Sequence, residues 1–465
     1  MSLIPNSAAR SFALFAGLIG FAVAAFAPQL FNDGDSWWHV AAGQWMLDHG
    51  AALKSDVFSF TFAGHFWDAQ EWLSEIVMAL AYRLDGWTGL HLLFGLAAGK
   101  AAAIVAYQAR KRLAMVPAAL VSLVGLACIS GSLLARPHLL ALPLLAIWTF
   151  GLLSAREQRR APGWWLWAVM LAWANLHGSF AFGLALACAF ALEAVMEHRS
   201  AWKGWGLFLA GAVIAAMITP QGFEGLLFPF RLLMLGSIRN VGEWAPTSLT
   251  TPTPFLIAVV GLVWLSVTRK LKLTPLRIMI LTGLVGLALA HVRHQMLFGI
   301  VAPMLVADGL WRTYPAQDFS NAKDGGLPGW LTPLAAGLLT VLVVARLLLP
   351  TVRGDDRVTP MTALAHVPAE LRAQPVLNAY DFGGYLIFSG VKVFVDGRTD
   401  MYGDVFLGDY DRAMRPDRKA LNAALARWQI AWTILPPGPA AAMMDTMPGW
   451  HRAYADQFAV VDVKD

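Results

Sequence analysis

The chain has 465 residues, of which 57% are hydrophobic and only 14% are charged. Soluble proteins average about 25% charged residues, so this composition excludes an ordinary soluble enzyme, a disordered chain and a disulfide scaffold, and it indicates a polytopic membrane protein. The net charge of +5 does not indicate a nucleic-acid partner, because the basic residues lie at the ends of apolar runs, where they act as topology signals. Cys128 and Cys188 lie inside apolar runs and are interpreted as small hydrophobic residues.

Eleven apolar runs are predicted to be membrane-spanning helices, since about 20 apolar residues cross the bilayer core. They lie near residues 11–31, 87–109, 114–133, 138–154, 163–176, 179–197, 204–219, 254–268, 276–291, 295–311 and 330–349. The first run is similar to a signal peptide, but Pro28 directly after Ala-Phe-Ala disfavours cleavage, so we predict a retained helix. Segment 72–84 is too short and too acidic to span the bilayer, and we interpret it as an amphipathic helix on the outer interface.

Lysine and arginine are distributed unequally between the two sets of loops. One set contains Arg10, Arg110, Lys111, Arg112, Arg156, Arg159, Arg160, Arg199, Lys203, Arg269, Lys270, Lys272, Arg277, Arg312 and Lys323, and the other contains Lys54, Arg83, Arg136, Arg231, Arg239 and Arg293. Since cytoplasmic loops carry the excess of positive charge, the N-terminus is predicted to be cytoplasmic and the C-terminus, after eleven spans, to lie outside. In a Gram-negative bacterium this predicts an inner-membrane protein with a periplasmic C-terminal part.

Three regions are predicted from the change in composition near residue 350. Residues 1–350 form the transmembrane region, with a first outer loop at 32–86, residues 351–375 are a linker, and residues 376–465 form a small α/β domain outside the membrane. In that domain the pattern predicts strands at 392–395, 432–435 and 460–463 and helices at 384–388, 405–414 and 418–428. The expected fold is an α-helical polytopic membrane protein with a small C-terminal α/β domain.

Acidic residues are concentrated in the first outer loop, where eight of the 16 acids of residues 1–350 lie between Asp33 and Asp85. Asp33 and Asp35 directly follow the first span, and a Trp-Trp-His sequence comes next. An acid at this depth is partly desolvated, which raises its pKa and suits it to act as a general base. The alternative is an ordinary interfacial loop, since tryptophan favours the membrane boundary.

The other outer loops each carry an Arg, His or Asn near the membrane surface, where ionisable groups are candidates for function. These residues are Arg136, His138, Asn175, His177, Arg293 and His294, and Glu243 lies in a longer loop after the seventh span. Arginine matches phosphate oxygens bidentately, so the arginines and histidines of this set are predicted to bind an anionic phosphate. Two alternatives stay open: each histidine is a helix cap or interfacial residue, or histidines bind zinc without the spacing of a known zinc motif.

These features resemble the GT-C superfamily of polytopic glycosyltransferases, which use polyprenyl-phosphate sugars as donors. The residues that carry the resemblance are Asp33 and Asp35, a first-loop helix at 37–48 and Gln70-Glu71-Trp72-Leu73 at the start of a second interfacial helix. The chain is similar to the bacterial branch related to protein mannosyltransferases and aminoarabinose transferases, and to a set with DxWWH, EWL and NLHG segments. The resemblance implies that Asp35, or alternatively Asp33, acts as base toward an acceptor hydroxyl.

One segment of the C-terminal region, residues 378–385 followed by 395–402, is similar to the Trp-Trp-Asp-Tyr-Gly segment of oligosaccharyltransferase catalytic subunits. There the segment helps to hold the acceptor, which implies an acceptor-side role for Tyr380, Asp381, Asp396 and Arg398. Ala379 and Tyr380 stand in place of the two tryptophans, which weakens the case for a peptide acceptor. The alternative is a domain core with a structural Asp396–Arg398 pair.

Together the residues and the resemblance predict inverting transfer of a sugar from a polyprenyl-phosphate-linked donor to an envelope glycan, lipid or protein. Asp35 takes the acceptor proton, the arginines and histidines neutralise the leaving phosphate, and the substrate is positioned by His39, Asp68, Glu71, Asn175 and Glu243. The sequence requires no cofactor, and it leaves open whether a divalent cation (Mg²⁺ or Mn²⁺) binds near Asp68 and Glu71. The alternatives are a lipid-linked glycan transporter or flippase, a non-catalytic subunit of an envelope-polysaccharide assembly machine, and a polymerase or ligase of lipid-linked glycans.

Overall fold

The computed structural model describes residues 6–234, 236, 242–268, 270–314 and 330–465. The loop cations Arg239, Arg269 and Lys323 lie outside the described residues. The membrane region contains α1 (Asn6–Ala25), α2 (Asp35–His49), α3 (Trp72–Arg112), α4 (Met115–Ser130), α5 (Pro137–Glu157), α6 (Trp165–Leu176), α7 (Phe180–Glu197), α8 (Trp202–Met217), α9 (Phe223–Leu233), α10 (Pro254–Val267), α11 (Pro275–Ala290), α12 (Gln295–Thr313) and α13 (Leu331–Leu348).

The apolar helices match the predicted membrane spans. Within the described ranges, seven helical segments of 18 residues or more are apolar enough to cross a bilayer, and four shorter apolar helices, α4, α6, α10 and α11, accompany them. Each predicted span corresponds to one of these elements, with ends that differ by a few residues. The prediction of an α-helical polytopic membrane protein is therefore confirmed. Helix α9 was not predicted, because it is too short for a span and lies in what the sequence indicated as loop.

Helix α3 consists of two helical segments that meet at Asp85 and Gly86. Asp85 has φ −156° and ψ 39°, and Gly86 has φ 53° and ψ −138°, a positive-φ backbone that glycine adopts at low steric cost. The first segment lies against α2, where a Cβ at Gly43 would be only 1.9 Å from the carbonyl oxygen of Glu75. This close packing brings the His39 side chain, one helical turn before Gly43, next to the Glu75 side chain.

The C-terminal domain (residues 376–465) is built on a four-stranded sheet in the order β1-β2-β4-β3. β1 (Val376–Asn378) is parallel to β2 (Trp432–Leu435), whereas β4 (Val460–Lys464) is antiparallel to both β2 and β3 (Trp450–Ala455). The helices around it are α16 (Gly383–Phe388), α17 (Thr399–Met414), α18 (Arg418–Arg427) and α19 (Pro439–Met444), and the connection from the membrane region contains α14 (Met361–Ala365) and α15 (Ala369–Arg372).

The predicted strand at 392–395 is wrong, and the sequence analysis missed β1 and β3. Val393 instead forms an isolated bridge with Ser59 of the first loop (residues 32–86). Its amide donates to the carbonyl oxygen of Phe58 at 3.2 Å, and its own carbonyl oxygen accepts from the amide of Phe60 at 3.1 Å. The β-branched run at 392–395 therefore pairs with the first loop and not with the sheet. The sequence alone does not show which backbone segment such a run will pair with.

A buried arginine joins the first loop to the C-terminal domain. Arg398 donates to Asp56 Oδ1 of the first loop at 2.6 Å and to both carboxylate oxygens of Asp396, at 2.7 and 2.6 Å. Its guanidinium lies 4.7 Å from the ring centroid of Trp67. All three charged side chains are fully buried, so removing one partner would leave an uncompensated charge, which typically costs about 3–5 kcal/mol. The Asp396–Arg398 pair therefore joins the first loop to the core of the C-terminal domain, as the structural alternative expects, and its acceptor-side role stays a prediction.

A second charged cluster, the basal ion cluster, lies at the opposite end of the helix bundle. Arg277 pairs with Asp308 and, at 3.0 Å, with Glu193, and Glu193 also pairs with Arg156 at 3.0 Å. Arg112 lies 3.5 Å from Asp308. These pairs connect α3, α5, α7, α11 and α12, so five helices are tied together at the end farthest from the first loop.

Candidate active site

A cavity of about 630 Å³ lies between the first loop, the ends of the helices and the C-terminal domain. Most of the residues predicted from the sequence line it, namely Asp33, Asp35, His39, Asp68, Glu71, Arg136, His138, His177, Glu243, Arg293, Tyr380, Asp381 and Arg398. Three predicted residues, Asn175, His294 and Asp396, do not. The fold thus brings together side chains that are up to 365 positions apart in the chain.

Asp35 is the first residue of α2, and its surroundings bring the pKa of its carboxyl close to neutral pH. The Asp35 amide donates to Asp33 Oδ1 at 2.8 Å, and Arg136 lies 2.9 Å from Asp35 Oδ2. Burial raises the pKa of Asp35 to about 7, although the positive charge of Arg136 acts in the opposite direction. A carboxylate with this pKa suits general-base catalysis at physiological pH.

Arg136 is surrounded by acids. Besides Asp35, its guanidinium pairs with Asp33 and Glu243. The sequence analysis predicted that Arg136 binds phosphate, but three carboxylates occupy it in the structure. Its positive charge holds the pKa of the Glu243 carboxyl below its usual range and keeps the acids together at the entrance of α2.

Arg293 forms a longer ion pair than Arg136 does. Its Nη1 atom lies 3.9 Å from Glu243 Oε2, and its guanidinium is 4.5 Å from the ring centroid of Trp244. Among the arginines that line the cavity in the described part of the chain, it has the longest ion-pair distance. An arginine that packs over an indole and has one long ion pair keeps most of its donors for an anion.

Two histidines and two glutamates form a chain along one wall of the cavity. His39 Nδ1 lies 3.2 Å from Glu75 Oε1, His39 Nε2 lies 3.9 Å from Glu71 Oε2, and His177 Nε2 lies 3.3 Å from Glu71 Oε1. The amide of Ser179 donates to His177 Nδ1 at 3.1 Å, which leaves the proton of the neutral ring on Nε2, pointing at Glu71.

Burial controls the charges of this chain. It lowers the pKa of His39 and of His177 well below the usual range, so both rings are neutral at pH 7. It raises the pKa of Glu71 to about 8, so this carboxyl keeps its proton at pH 7. The histidines therefore supply hydrogen-bond donors and acceptors to the cavity rather than the positive charge that the sequence analysis expected. His138 likewise contacts the Ser132 carbonyl oxygen through Nε2 at 3.0 Å.

The C-terminal domain closes one side of the cavity and contacts Asp35 directly. A Cβ at Gly397 would be 1.8 Å from Asp35 Oδ1, and a Cβ at Gly384 would be 2.0 Å from the carbonyl oxygen of Gly34. Tyr380, whose hydroxyl is 2.7 Å from Thr399 Oγ1, lies on the same side. Burial raises the pKa of Asp400, in the first turn of α17, to about 6.

Asn175 and His294 do not line the cavity, and their hydrogen-bond partners lie elsewhere in the fold. Asn175 accepts a hydrogen bond from Trp72 Nε1 at 2.9 Å and donates to the carbonyl oxygens of Ile218 and Leu171 at 2.9 and 2.8 Å. His294 is half-buried, and its Nδ1 atom lies 3.3 Å from the carbonyl oxygen of Leu287. Asn175 thus joins α6 to the start of α3, and neither Asn175 nor His294 lines the cavity, so the cavity lining does not support their predicted substrate contacts.

Several cavity residues were missed by the sequence analysis as site residues, above all Gln70, Glu75, Gly397 and Asp400. A signal existed for Glu75, which lies four positions after Glu71 and so on the same helix face. Gly397 and Asp400 lie in the segment 395–402 that resembles an acceptor-holding segment, but neither was given a role, because only the docking of the C-terminal domain brings them to the cavity. Within the described ranges, no group of three or more His, Cys, Asp or Glu residues is arranged to hold a metal ion.

The fold is similar to that of solved oligosaccharyltransferase structures, in agreement with the GT-C resemblance of the sequence. The solved structures that resemble the chain include the oligosaccharyltransferase of Archaeoglobus fulgidus in its apo form, with a TM-score of 0.58 and 10% identity over 90% of this chain and 69% of that one. The same enzyme tethered to an acceptor peptide with the NVT sequon gives a TM-score of 0.54 and 9% identity, over 90% and 68% of the two chains.

ArnT from Cupriavidus metallidurans bound to undecaprenyl phosphate gives a TM-score of 0.49 and 14% identity over 97% of both chains. No sequence-family profile matches the chain. A search of curated proteins also found no match.

Proposed function

We propose that this protein transfers a sugar from a polyprenyl-phosphate-linked donor to an envelope glycan, lipid or protein at the outer face of the inner membrane. The observation that carries the proposal is the cavity, in which a carboxylate that titrates near pH 7 and a loosely paired arginine lie together at the ends of apolar helices. A base and an anion site side by side are what group transfer from a phosphate requires. The GT-C fold is in keeping with this activity.

Helix α9 supports a donor that arrives from the bilayer. Phe223, Leu227, Phe230 and Met234 follow one another at helical spacing and are all exposed. On another side of the same helix, Phe228 and Leu232 line the cavity. An apolar helix that faces the cavity on one side and the surroundings on another gives a lipid chain a continuous apolar route, as an interfacial helix does.

In the proposed reaction, the acceptor oxygen attacks the anomeric carbon of the sugar from the side opposite to the phosphate. The new carbon–oxygen bond forms as the bond to the phosphate oxygen breaks, and that oxygen keeps the electron pair. Asp35 receives the proton of the acceptor hydroxyl, while Arg293 stabilises the leaving phosphate. The attack from the opposite face inverts the anomeric configuration. Arg136 holds Asp33, Asp35 and Glu243 in place.

Replacing Arg293 by Gln is expected to weaken the binding of a short polyprenyl phosphate at least about tenfold, because a charge-assisted contact to the phosphate is lost. Arg83→Gln is the control, since Arg83 is 43% exposed and pairs with Asp48 on the first loop. Binding to purified protein in nanodiscs measures the effect. Equal affinities for wild type and Arg293→Gln would remove Arg293 from the phosphate site.

The transfer rate is expected to show a bell-shaped pH profile with limbs near the pKa values of Asp35, about 7, and Glu71, about 8. Below the first value Asp35 carries a proton and cannot act as base. Above the second value Glu71 loses its proton and places a negative charge beside the departing phosphate. Glu71→Gln should remove the alkaline limb and keep the acid limb, and an unchanged alkaline limb in this variant would contradict the assignment.

The proposed orientation is tested with a reporter fused after Asp465 that is active only outside the cytoplasm. Because the excess of lysine and arginine lies on the other side, the reporter should be active. A cytoplasmic reporter at the same position is the matched control and should be silent. Activity of the cytoplasmic reporter would contradict both the orientation and a cavity at the outer face.

The function itself is tested by comparing a deletion strain with the complemented strain, with envelope glycans and lipid-linked sugars identified by mass spectrometry. A transferase predicts that one glycan disappears while its lipid-linked donor accumulates. Loss of a glycan without accumulation of a donor would instead favour a flippase or an assembly subunit.

A further inference from the structure

One wall of the cavity carries hydrogen-bond acceptors to which the proposed mechanism gives no role. We call it the acceptor wall, and it consists of Asp68, Gln70 and Glu75, at the end of the first loop and the start of α3. Gln70 and Glu75 are only 2% and 1% exposed. Polar groups at this depth are normally paired, because an unpaired buried acceptor costs free energy.

Each residue of the acceptor wall has one side-chain oxygen without a hydrogen-bond partner among the described residues: Asp68 Oδ1, Gln70 Oε1 and Glu75 Oε2. The remaining part of each side chain is held in place. Gln70 Nε2 donates to the carbonyl oxygen of Ala174 at 2.9 Å, Glu75 Oε1 contacts His39 at 3.2 Å, and Asp68 is hydrogen-bonded to the Gln221 side chain. Since a carbonyl oxygen only accepts, the contact with Ala174 also fixes which end of the Gln70 amide carries the unpaired oxygen.

Aromatic rings lie in the same cavity. Trp38 and Trp67 both line it, with ring centroids 5.9 Å apart in an edge-to-face arrangement. The Trp38 indole is also a hydrogen-bond partner of the Asp35 carboxyl, which places this ring beside the candidate base. Rings that offer an apolar surface, next to acceptors that lack donors, suit a ligand with C–H faces and several hydroxyl groups. The acids of this wall are not arranged as a metal ligand set within the described ranges.

We propose that Asp68, Gln70 and Glu75 bind hydroxyl groups of the transferred monosaccharide, with Trp38 and Trp67 packing against its apolar faces, and that these residues set the sugar specificity. The inference rests on the proposed function and adds the site of the sugar to that of the phosphate. The carboxyl of Glu71, between His39 and His177, lies between the two subsites, so phosphate and sugar would occupy opposite ends of the histidine–glutamate chain.

The test measures the affinity of the purified full-length chain in nanodiscs for farnesyl phosphate and for its glucosyl, galactosyl, mannosyl and amino-sugar derivatives. Wild type is expected to bind at least one neutral glycosylated form about tenfold or more tightly than farnesyl phosphate itself, because the sugar supplies the missing donors. Asp68→Asn is nearly isosteric and replaces an acceptor by a donor. Burial raises the pKa of the Glu75 carboxyl well above its usual range, so Glu75→Gln would only exchange one donor for another, and the second variant is Glu75→Met, which removes both oxygens. Both variants should abolish this preference and leave the affinity for farnesyl phosphate within about twofold. Asp48→Asn, on an exposed first-loop acid, is the matched control.

Each outcome has a separate meaning. A preference for the sugar that persists in both variants would overturn the acceptor wall as its site. Equal binding of bare and glycosylated lipid by wild type would also overturn it, while leaving the lipid-phosphate proposal intact. A preference confined to the amino-sugar form would replace hydroxyl recognition by ammonium recognition and so contradict the inference. Failure to bind any of the lipids would reject the proposed function as well. Asp68 is less buried than Glu75, so Asp68→Asn keeps the test valid if Glu75→Met does not fold.

Discussion

Replacing Asp35 by Asn is expected to lower the rate of sugar transfer by about 10²–10⁴-fold, the usual contribution of a general base. Asparagine keeps the size of the side chain and a hydrogen-bond acceptor toward Arg136, but it cannot accept the proton of the acceptor hydroxyl. The loss should therefore appear in kcat rather than in donor affinity. The measurement compares wild type and Asp35→Asn at equal abundance in membranes of the deletion strain, with glycans and lipid-linked sugars identified by mass spectrometry.

Two further variants give this prediction its specificity. Asp48→Asn removes an exposed carboxylate of the same loop and should behave as wild type. Asp33→Asn removes the neighbouring acid, which accepts the Asp35 amide at 2.8 Å, and should cost much less than Asp35→Asn if Asp35 is the base. A reversed order of effects would assign the base to Asp33. Wild-type activity of both variants would favour a non-catalytic subunit.

Replacing Gly397 by Ala is expected to reduce transfer about 10²-fold, the effect of misplacing a catalytic group by about 1 Å. The added methyl group would be 1.8 Å from Asp35 Oδ1, far inside van der Waals contact. Either the Asp35 side chain rotates away from Arg136 or the loop at Gly397 withdraws from α2. The measurement is the transfer rate of the purified protein, together with its thermal unfolding.

Gly408→Ala is the matched control for this prediction. Gly408 lies in α17 of the same domain, and a Cβ there would meet nothing within 4 Å. Alanine is favoured over glycine within a helix by about 0.5–1 kcal/mol, so this variant should keep full activity and equal or higher stability. Normal activity of Gly397→Ala would show that the C-terminal domain does not position Asp35.

The membrane part of the fold could be predicted from the sequence because a span is a local property. About 20 consecutive apolar residues must form a helix in lipid whatever the rest of the chain does. The boundary between segment 72–84 and the following span could also be predicted from local sequence, since Asp85 and Gly86 interrupt the apolar run at the point where the helical backbone is interrupted. For the same reason, most of the predicted site residues that line the cavity were found by looking for ionisable groups beside the spans.

Pairings between distant residues could not be predicted in this way. The sequence analysis assigned Arg136 to a phosphate because it could not show that Asp33, Asp35 and Glu243 would surround it. It assigned the β-branched run at 392–395 to the sheet because the partner of Val393 lies more than 330 positions earlier, in the first loop. The histidines were expected to be charged because burial, which makes them neutral, depends on the packed structure.

The contact of Gly397 with Asp35 has a consequence for the synthesis of the protein. A ribosome that has translated residue 350 has made the helices α1 to α13 of the described residues and both candidate acids, but none of the residues at 380–411 that close the cavity. In the proposed mechanism, a nascent chain therefore stays inactive until its C-terminal domain has been exported and has folded onto the first loop. The order of synthesis itself then protects scarce lipid-linked sugars from unproductive hydrolysis by unfinished enzyme.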